Sequence, residues 1–207
     1  MRVPTKFKGI AVHDCWVSYW DCPDIQHAVC YAHLLRELTG ISEKHPEQKW
    51  APAFTDLLLE MKKVEDKAIT AGKESLSYYH CHKFNKKYDE LIKLAREENP
   101  LPKTIEKNVD GRKRGKILAL GERPANYRAS FCLFIHNFMV PSDNNQAERD
   151  LRMIKVKTKV SGCFRTEEGA RDYLKIMSYV GTAHKQGYNA YKAIKKAILG
   201  HPDFIFE

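Results

Sequence analysis

The sequence predicts an α/β fold that is mainly helical. Two patterns support this class. The first 48 residues alternate between short apolar runs rich in β-branched residues and helical stretches, and from about Trp50 onward apolar residues recur at helical spacing. The order strand, helix, strand, helix favours parallel strands covered by helices. With 207 residues, 43% of them hydrophobic and 11% aromatic, the chain is long enough to bury a core.

The first predicted domain, residues 1–48, contains both strands. Lys8 to Val12 is the first strand, and its apolar pattern stops at His13-Asp14. Ile25 to Cys30 predicts the second strand, and Tyr31 to Ser42 predicts a helix with leucines facing inward. Asp14 is therefore expected at the carboxyl end of a strand, where functional sites tend to form in open α/β sheets.

The second predicted domain, residues 49–138, is a large helical insertion. Two amphipathic helices separated near Gly72 are followed, after a basic segment, by a helix with aromatic residues on one face. The basic segment, 103–123, has seven Lys and Arg residues among glycines and predicts a mobile loop. Its densest cluster is Arg112, Lys113 and Arg114. Such a loop suits contact with DNA phosphates, or it is a solvated linker.

The third predicted domain, residues 139–207, begins with a helix that carries Glu148 and continues as a helical tail. Asp143 and Gln146 have the spacing of a helix start in which each side chain caps a backbone N–H. The apolar positions Ala147, Leu151 and Ile154 predict a buried stripe on this helix. Thr166 predicts the start of a long helix, and a final short helix follows from Asn189 to Leu199.

The first helix of this third domain has an unusually cationic surface. Glu148 shares a face with Asn144 and Arg152, and further cations follow. The candidate DNA-binding residues of this stretch are Asn144, Asn145, Arg149, Arg152, Lys155, Lys157 and Lys159. This density of cations is suited to phosphate, although a solvated helix with a Glu148–Arg152 pair would show the same spacing.

The charge balance favours a polyanionic partner. Thirty-five Lys and Arg against 26 Asp and Glu give a net charge of +9, so nucleic acid is the first expectation and an anionic membrane surface the second. No apolar run approaches the roughly 20 residues that span a bilayer, and the N-terminus does not resemble a signal peptide. The six scattered cysteines are typical of reduced thiols, so we expect a cytoplasmic protein.

Asp14 and Glu148 are the carboxylates best placed for two-metal chemistry. Two divalent ions held by carboxylates can activate a water or a 3′-hydroxyl and stabilise the leaving oxygen of a phosphodiester. Hard oxygen ligands favour Mg²⁺ or Mn²⁺. Asp14 could instead cap the following helix. Zinc bound by Cys30 and His33, or by the run His80-Cys81-His82, is a weaker alternative because no second pair with suitable spacing accompanies them.

Four motifs, taken in their order along the chain, are specific enough to indicate a protein family. They are His13-Asp14-Cys15-Trp16-x-x-Tyr19, Cys30-x-x-His33-Leu34-x-Arg36-Glu37-Leu38, Asp143-Asn144-Asn145-Gln146-Ala147-Glu148-Arg149-x-x-Arg152 and Ser161-Gly162-x-Phe164-Arg165. Together they resemble the DDE transposases of the insertion sequence 66 family. The resemblance covers nearly the whole chain and is most distinctive between residues 141 and 187.

The resemblance implies a ribonuclease-H-like catalytic domain in which two Asp and one Glu hold two Mg²⁺ ions. In this chain it would be a partial domain, with few strands and a large helical insertion. Asp14 matches the second acid of the family and Glu148 the third. Asn144, Asn145, Arg149 and Arg152 match the motif around the Glu. The implied reaction is strand cleavage at insertion-sequence ends and transfer of the freed 3′-hydroxyl to double-stranded target DNA. A homo-oligomer and a nucleoid location on DNA are also implied.

The first Asp of the family has no counterpart here, because residues 1–13 contain no acidic residue. We therefore expect a truncated form that lacks this acid and the strands around it, with weak or absent catalysis. The alternative is a non-catalytic DNA-binding remnant, or a regulator of a full-length transposase. A zinc-stabilised helical interaction protein is a third hypothesis, and it would lose its fold with a chelator.

Overall fold

The computed structural model describes residues 7–100 and 111–202, with only the backbone given for residues 111–114 and 116. The chain divides into two compact units, Met1–Asn144 and Asn145–Glu207. The predicted division into 1–48, 49–138 and 139–207 stays a prediction. Within the described ranges, none of the helices combines the length and the apolar character needed to cross a lipid bilayer.

The first unit opens with a two-stranded parallel sheet, as the alternating pattern predicted. Strand β1 (Ile10–His13) pairs with strand β2 (Gln26–Val29), and the register aligns Ile10 with Gln26 and His13 with Val29. A one-turn helix, α1 (Val17–Trp20), lies in the connection between them. The mainly helical α/β class is confirmed.

Three longer helices build the core of the first unit. They are α2 (Tyr31–Lys44), α3 (Trp50–Thr70) and α4 (Tyr78–Glu98). Their buried side chains form one hydrophobic cluster, because apolar residues repeat at helical spacing on each of them. The fully buried members with the largest side chains are Trp50, Tyr88, Phe54, Phe84, Leu38, Leu58 and Met61. This cluster is the scaffold against which the later helices of the first unit pack.

The segment expected to be a basic loop is helical from Gly111 onward. Helix α5 (Gly111–Asn126) buries Ile117 and Leu120 in the same core, so the loop expected over 103–123 was wrong for its second half. Packing of these apolar side chains outweighs the low helix propensity of the glycines. Residues 103–110 and the side chains of Arg112, Lys113 and Arg114 lie outside the described part of the chain.

Two short helices replace the single aromatic helix expected before residue 138. They are α6 (Arg128–Phe131) and α7 (Leu133–His136), with the helical backbone interrupted at Cys132. Phe131, Phe134 and Ile135 are buried, as the aromatic pattern predicted.

The second unit consists of α8 (Asn145–Ser161), α9 (Glu167–Lys185) and α10 (Ala190–Ile198). Thr166 starts α9 as predicted, because its hydroxyl accepts a hydrogen bond from the Gly169 amide at 3.0 Å. A small cluster of Ala183, Ala193 and Tyr179 joins α9 to α10. In α8 the predicted buried stripe was wrong: Ala147 and Leu151 are exposed, and Ile154 is half-buried.

Candidate functional site

Asp14 lies at the carboxyl end of β1, as predicted, and is exposed. Its Oδ1 accepts a hydrogen bond from the Trp16 amide at 3.3 Å, but Trp16 is itself the N-cap of α1, so Asp14 does not cap that helix. The next residue, Cys15, has a φ of 65°, in the left-handed region that costs a non-glycine residue about 1–2 kcal/mol. The surrounding structure must therefore hold this turn in place.

Two histidines joined by a hydrogen bond support the turn. His13 is buried, and its Nδ1 accepts a hydrogen bond from the Cys15 amide at 3.2 Å. The ring proton of His13 is therefore on Nε2, which donates to His27 Nδ1 at 3.1 Å, and His27 Nε2 in turn donates to the Cys22 carbonyl at 3.2 Å. Both rings must be neutral for all three bonds to form, since a protonated ring has no acceptor nitrogen.

Acid is expected to destabilise the first unit through His13. Burial, followed by the charge of His27, lowers the pKa of His13 from about 6.5 to about 4, while Asp14 opposes the shift. Between these two values the unfolded chain binds the proton and the folded chain does not. The free energy of unfolding therefore falls as the pH drops from 6.5 to 4, by about 3 kcal/mol in total.

Urea unfolding at several pH values between 4 and 7 measures this effect. In the His13→Asn variant the amide oxygen can accept from the Cys15 amide without titrating, so the pH dependence in this window should flatten. The exposed His184 is the matched control, and His184→Asn should keep the slope of the unmodified chain. An unchanged slope in His13→Asn would contradict the assignment of the pH dependence to His13.

A shallow cleft lies beside Asp14. It is lined by Asp14, Cys15, Val29, Cys30, His33, Leu34, Glu37 and Arg123. The Cys30 thiol lies 3.3 Å from His33 Nδ1 and accepts a hydrogen bond from the Asn144 amide at 3.4 Å. In the same cleft, the Arg123 guanidinium donates twice to the Glu37 carboxylate, at 2.9 and 3.3 Å. The cleft thus combines an exposed carboxylate with a fixed cation.

Oxygen ligands are available for a hard cation at Asp14. Its exposed carboxylate is the ligand type that Mg²⁺ and Mn²⁺ prefer, and the Glu148 carboxylate is of the same type. Asn144 carries a buried Oδ1 that lacks a hydrogen-bond partner in the described structure, so a further oxygen acceptor lies next to the Cys30 contact. The oxygen atoms of Asp14 and Asn144 in the first unit, and of Glu148 in the second, are therefore each of the type that Mg²⁺ and Mn²⁺ prefer.

The proposed zinc ligands do not assemble into a larger cluster. Cys30 and His33 meet, but in the described residues no group of three or more His, Cys, Asp and Glu side chains could hold a metal ion. His80 instead contacts the Ser77 hydroxyl at 2.9 Å, and the Cys81 thiol donates to the Leu76 carbonyl at 3.8 Å. All six cysteines are free thiols.

Helix α8 displays the cations that the sequence singled out, and these belong to the second unit. Arg149, Arg152, Lys155, Lys157 and Lys159 are exposed, while Glu148 and Asn145 are half-buried. The Gln146 amide donates to Asp150 at 3.0 Å and accepts from Arg149 at 3.2 Å. These bonds hold the Gln146 side chain against neighbouring residues of α8, and the helix start expected from Asp143 and Gln146 stays a prediction.

Lys157 has a more specific environment than its cationic neighbours. Its ammonium lies 4.7 Å from the centre of the Tyr173 ring on α9 and 5.9 Å from that of Phe164. Both separations fit a cation–π contact, which fixes the ammonium between α8 and α9. Lys157 therefore contributes to the packing of α8 against α9, in addition to the positive charge of the second unit.

Comparison with protein families decides where the chain belongs. A model of the transposase IS66 family matches residues 2–172, which is most of the chain and includes Asp14, the cleft and all of α8. The chain belongs to the IS66 family of transposases. Helix α10 lies outside the matched residues. No curated protein matches the chain, and no solved structure does.

Membership of the IS66 transposases confirms the resemblance on which the sequence motifs depended. It implies a role in transposition and DNA as the partner. The structure also shows site residues that the sequence did not single out: Arg123 and Glu37 meet across 86 positions of the chain. The only sequence signal for them was that Glu37 lies in the second motif and Arg123 at the end of the basic segment.

Proposed function

We propose that this IS66-family chain binds double-stranded DNA and, with a divalent metal ion, cleaves strands at insertion-sequence ends and joins the freed 3′-hydroxyl to target DNA. The observation that carries the proposal is the position of Asp14, an exposed carboxylate at the end of a parallel strand with a cation in the same cleft. We infer that the two strands correspond to part of a ribonuclease-H-like sheet, in which catalytic acids lie at such strand ends.

Asp14 and Glu148 are the residues that would hold Mg²⁺ or Mn²⁺. When bound, such ions make an attacking hydroxyl more acidic and stabilise the leaving oxygen of a phosphodiester. The chain itself would orient the Asp14 carboxylate through the Trp16 amide and hold a guanidinium beside it at Arg123. Neutral His13 under the turn keeps a proton on Nε2, away from Asp14.

The cationic side chains of α8 are proposed to bind the DNA backbone. Arg149, Arg152, Lys155 and Lys159 are exposed on a single helix, so they can contact phosphates, which requires charge but little fixed geometry. Asn145 is the first residue of the same helix, and Asn144 directly precedes it. A homo-oligomer on DNA stays a prediction, and the mass of the protein–DNA complex in solution measures it.

The test is nicking and strand transfer on labelled duplex DNA, with DNA binding recorded in the same samples. We expect product in Mg²⁺ or Mn²⁺ and none in EDTA. The Glu148→Gln variant, which removes the charge and keeps the shape, should lose product on the order of 100-fold while binding persists. Glu168→Gln, which removes an exposed carboxylate at the start of α9, is the matched control and should keep cleaving.

Two other outcomes would contradict the proposed DNA cleavage activity. Binding without metal-dependent product in either protein would favour a non-catalytic DNA-binding remnant or a regulator of another transposase. Absence of both binding and product would overturn the proposal as a whole.

A further inference from the structure

The ion pair between Arg123 and Glu37 lies next to the proposed metal-binding carboxylate. Arg123 is on α5 and Glu37 is on α2, and both line the cleft that contains Asp14 and Cys15. The two parallel N–H···O bonds fix the plane of the guanidinium, which a single contact would leave free to rotate. Two core helices thus hold a rigid cation at one side of the Asp14 turn.

Arg123 also contacts the turn itself. Burial raises the pKa of the Cys15 thiol to about 11, and the charge of Arg123 and its hydrogen bond to this side chain oppose that rise. Arg123 and Cys15 also line the same cleft, so the guanidinium lies beside the residue with left-handed backbone. The Cys15 amide is thus bonded to His13 Nδ1, while the Cys15 side chain shares the cleft with Arg123.

We propose that the Arg123–Glu37 pair is a positioning device that clamps the Asp14–Cys15 turn and so fixes the direction of the Asp14 carboxylate. Its consequence for DNA cleavage depends on the proposed function. Left-handed backbone at a non-glycine residue persists only where its surroundings determine it, and Arg123 is the charged side chain that α5 brings into the same cleft. Arg123 is a positioning residue here, because it acts on Asp14 through Cys15.

The simpler interpretation is that Arg123 and Glu37 form a partly exposed surface ion pair, which stabilises the fold only slightly and has no effect on the turn. The chain offers a matched control for it. Arg96 on α4 donates two bonds to Glu122 on α5, both at 2.8 Å, and neither residue lines the cleft. Arg96→Gln and Arg123→Gln each remove one two-bond pair that joins α5 to another helix, but only the second lies at the Asp14 turn.

The experiment is hydrogen exchange at the amides of Cys15 and Trp16, followed by NMR or mass spectrometry on the full chain. Both amides donate to side chains of the turn, so their exchange reports its opening. We expect Arg123→Gln and Glu37→Gln to accelerate exchange roughly fivefold or more, and Arg123→Lys to fall between them and the unmodified chain. Arg96→Gln should leave these amides within about twofold. Equal exchange in Arg96→Gln and Arg123→Gln overturns the clamp.

Mn²⁺-dependent DNA cleavage is the second readout. Arg123→Gln should raise the Mn²⁺ concentration needed for half-maximal cleavage by roughly tenfold, since a misdirected carboxylate binds the ion less well, whereas Arg96→Gln should not change it. If the Cys15 and Trp16 amides respond as expected but the unmodified chain makes no product, the clamp is supported and the proposed function fails. If cleavage occurs and Arg123→Gln shows the Mn²⁺ dependence of the unmodified chain, the clamp is overturned and the proposed function stands.

Discussion

Asp14→Asn is expected to reduce metal-dependent DNA cleavage on the order of a thousandfold while the chain stays folded. The side chain is exposed, and asparagine offers the same Oδ1 to the Trp16 amide, so the turn keeps its hydrogen bond. What is lost is one negative charge at the proposed metal site. The initial rate of plasmid nicking in Mn²⁺ measures the activity, and urea unfolding should show a change within about 0.5 kcal/mol.

Two further variants separate charge from geometry at this site. Asp24→Asn removes an exposed carboxylate from the turn before β2 and should leave the nicking rate unchanged. Asp14→Glu keeps the charge but moves it by one methylene, so it should cleave more slowly than the unmodified chain and faster than Asp14→Asn. Comparable rates for Asp14→Asn and the unmodified chain would remove Asp14 from the catalytic site.

The sheet and the position of Asp14 could be predicted because their signals are local. A β-branched run that stops at His13-Asp14 specifies a strand end, and the second run specifies its partner. Helix α5 was missed because its glycines and cations resemble a loop, although Ile117 and Leu120 have the i, i+3 spacing of a buried face. Whether this segment forms a helix depends on packing against the core, which local sequence patterns do not predict.

The exposure of residues on α8 and the Arg123–Glu37 ion pair could not be predicted from the sequence, for a different reason. The helix itself was predicted, but apolar residues occur on several of its sides, so spacing alone could not tell that Leu151 is exposed. Arg123 and Glu37 are neighbours only because α2 and α5 pack on the same core. Contacts between residues so far apart in one sequence depend on tertiary structure, which residue patterns do not encode individually.

Trp50→Ala is expected to destabilise the first unit by about 3–5 kcal/mol, a large part of the stability of a typical domain. Trp50 is fully buried at the start of α3, and its indole Nε1 donates to Gln48 Oε1 at 2.7 Å. The ring lies 3.9 Å from where a side chain on Gly121 would begin, so it fills the space between α3 and α5. Truncation leaves a cavity that the rigid helices cannot close. Urea unfolding followed by far-UV circular dichroism measures the loss.

Trp16→Ala is the matched control, because Trp16 is 56% exposed in the same unit and should cost about 0.5 kcal/mol or less. Trp50→Phe should fall between the two, since it fills most of the cavity but leaves Gln48 without the indole donor. Equal losses for Trp50→Ala and Trp16→Ala would show that α5 does not depend on this contact. Helix α5 also carries Arg123, so we expect the Trp50 contact to affect how firmly the cation beside Asp14 is held. Trp50→Ala should therefore accelerate hydrogen exchange at the Cys15 amide, even below the urea concentration at which the unit unfolds.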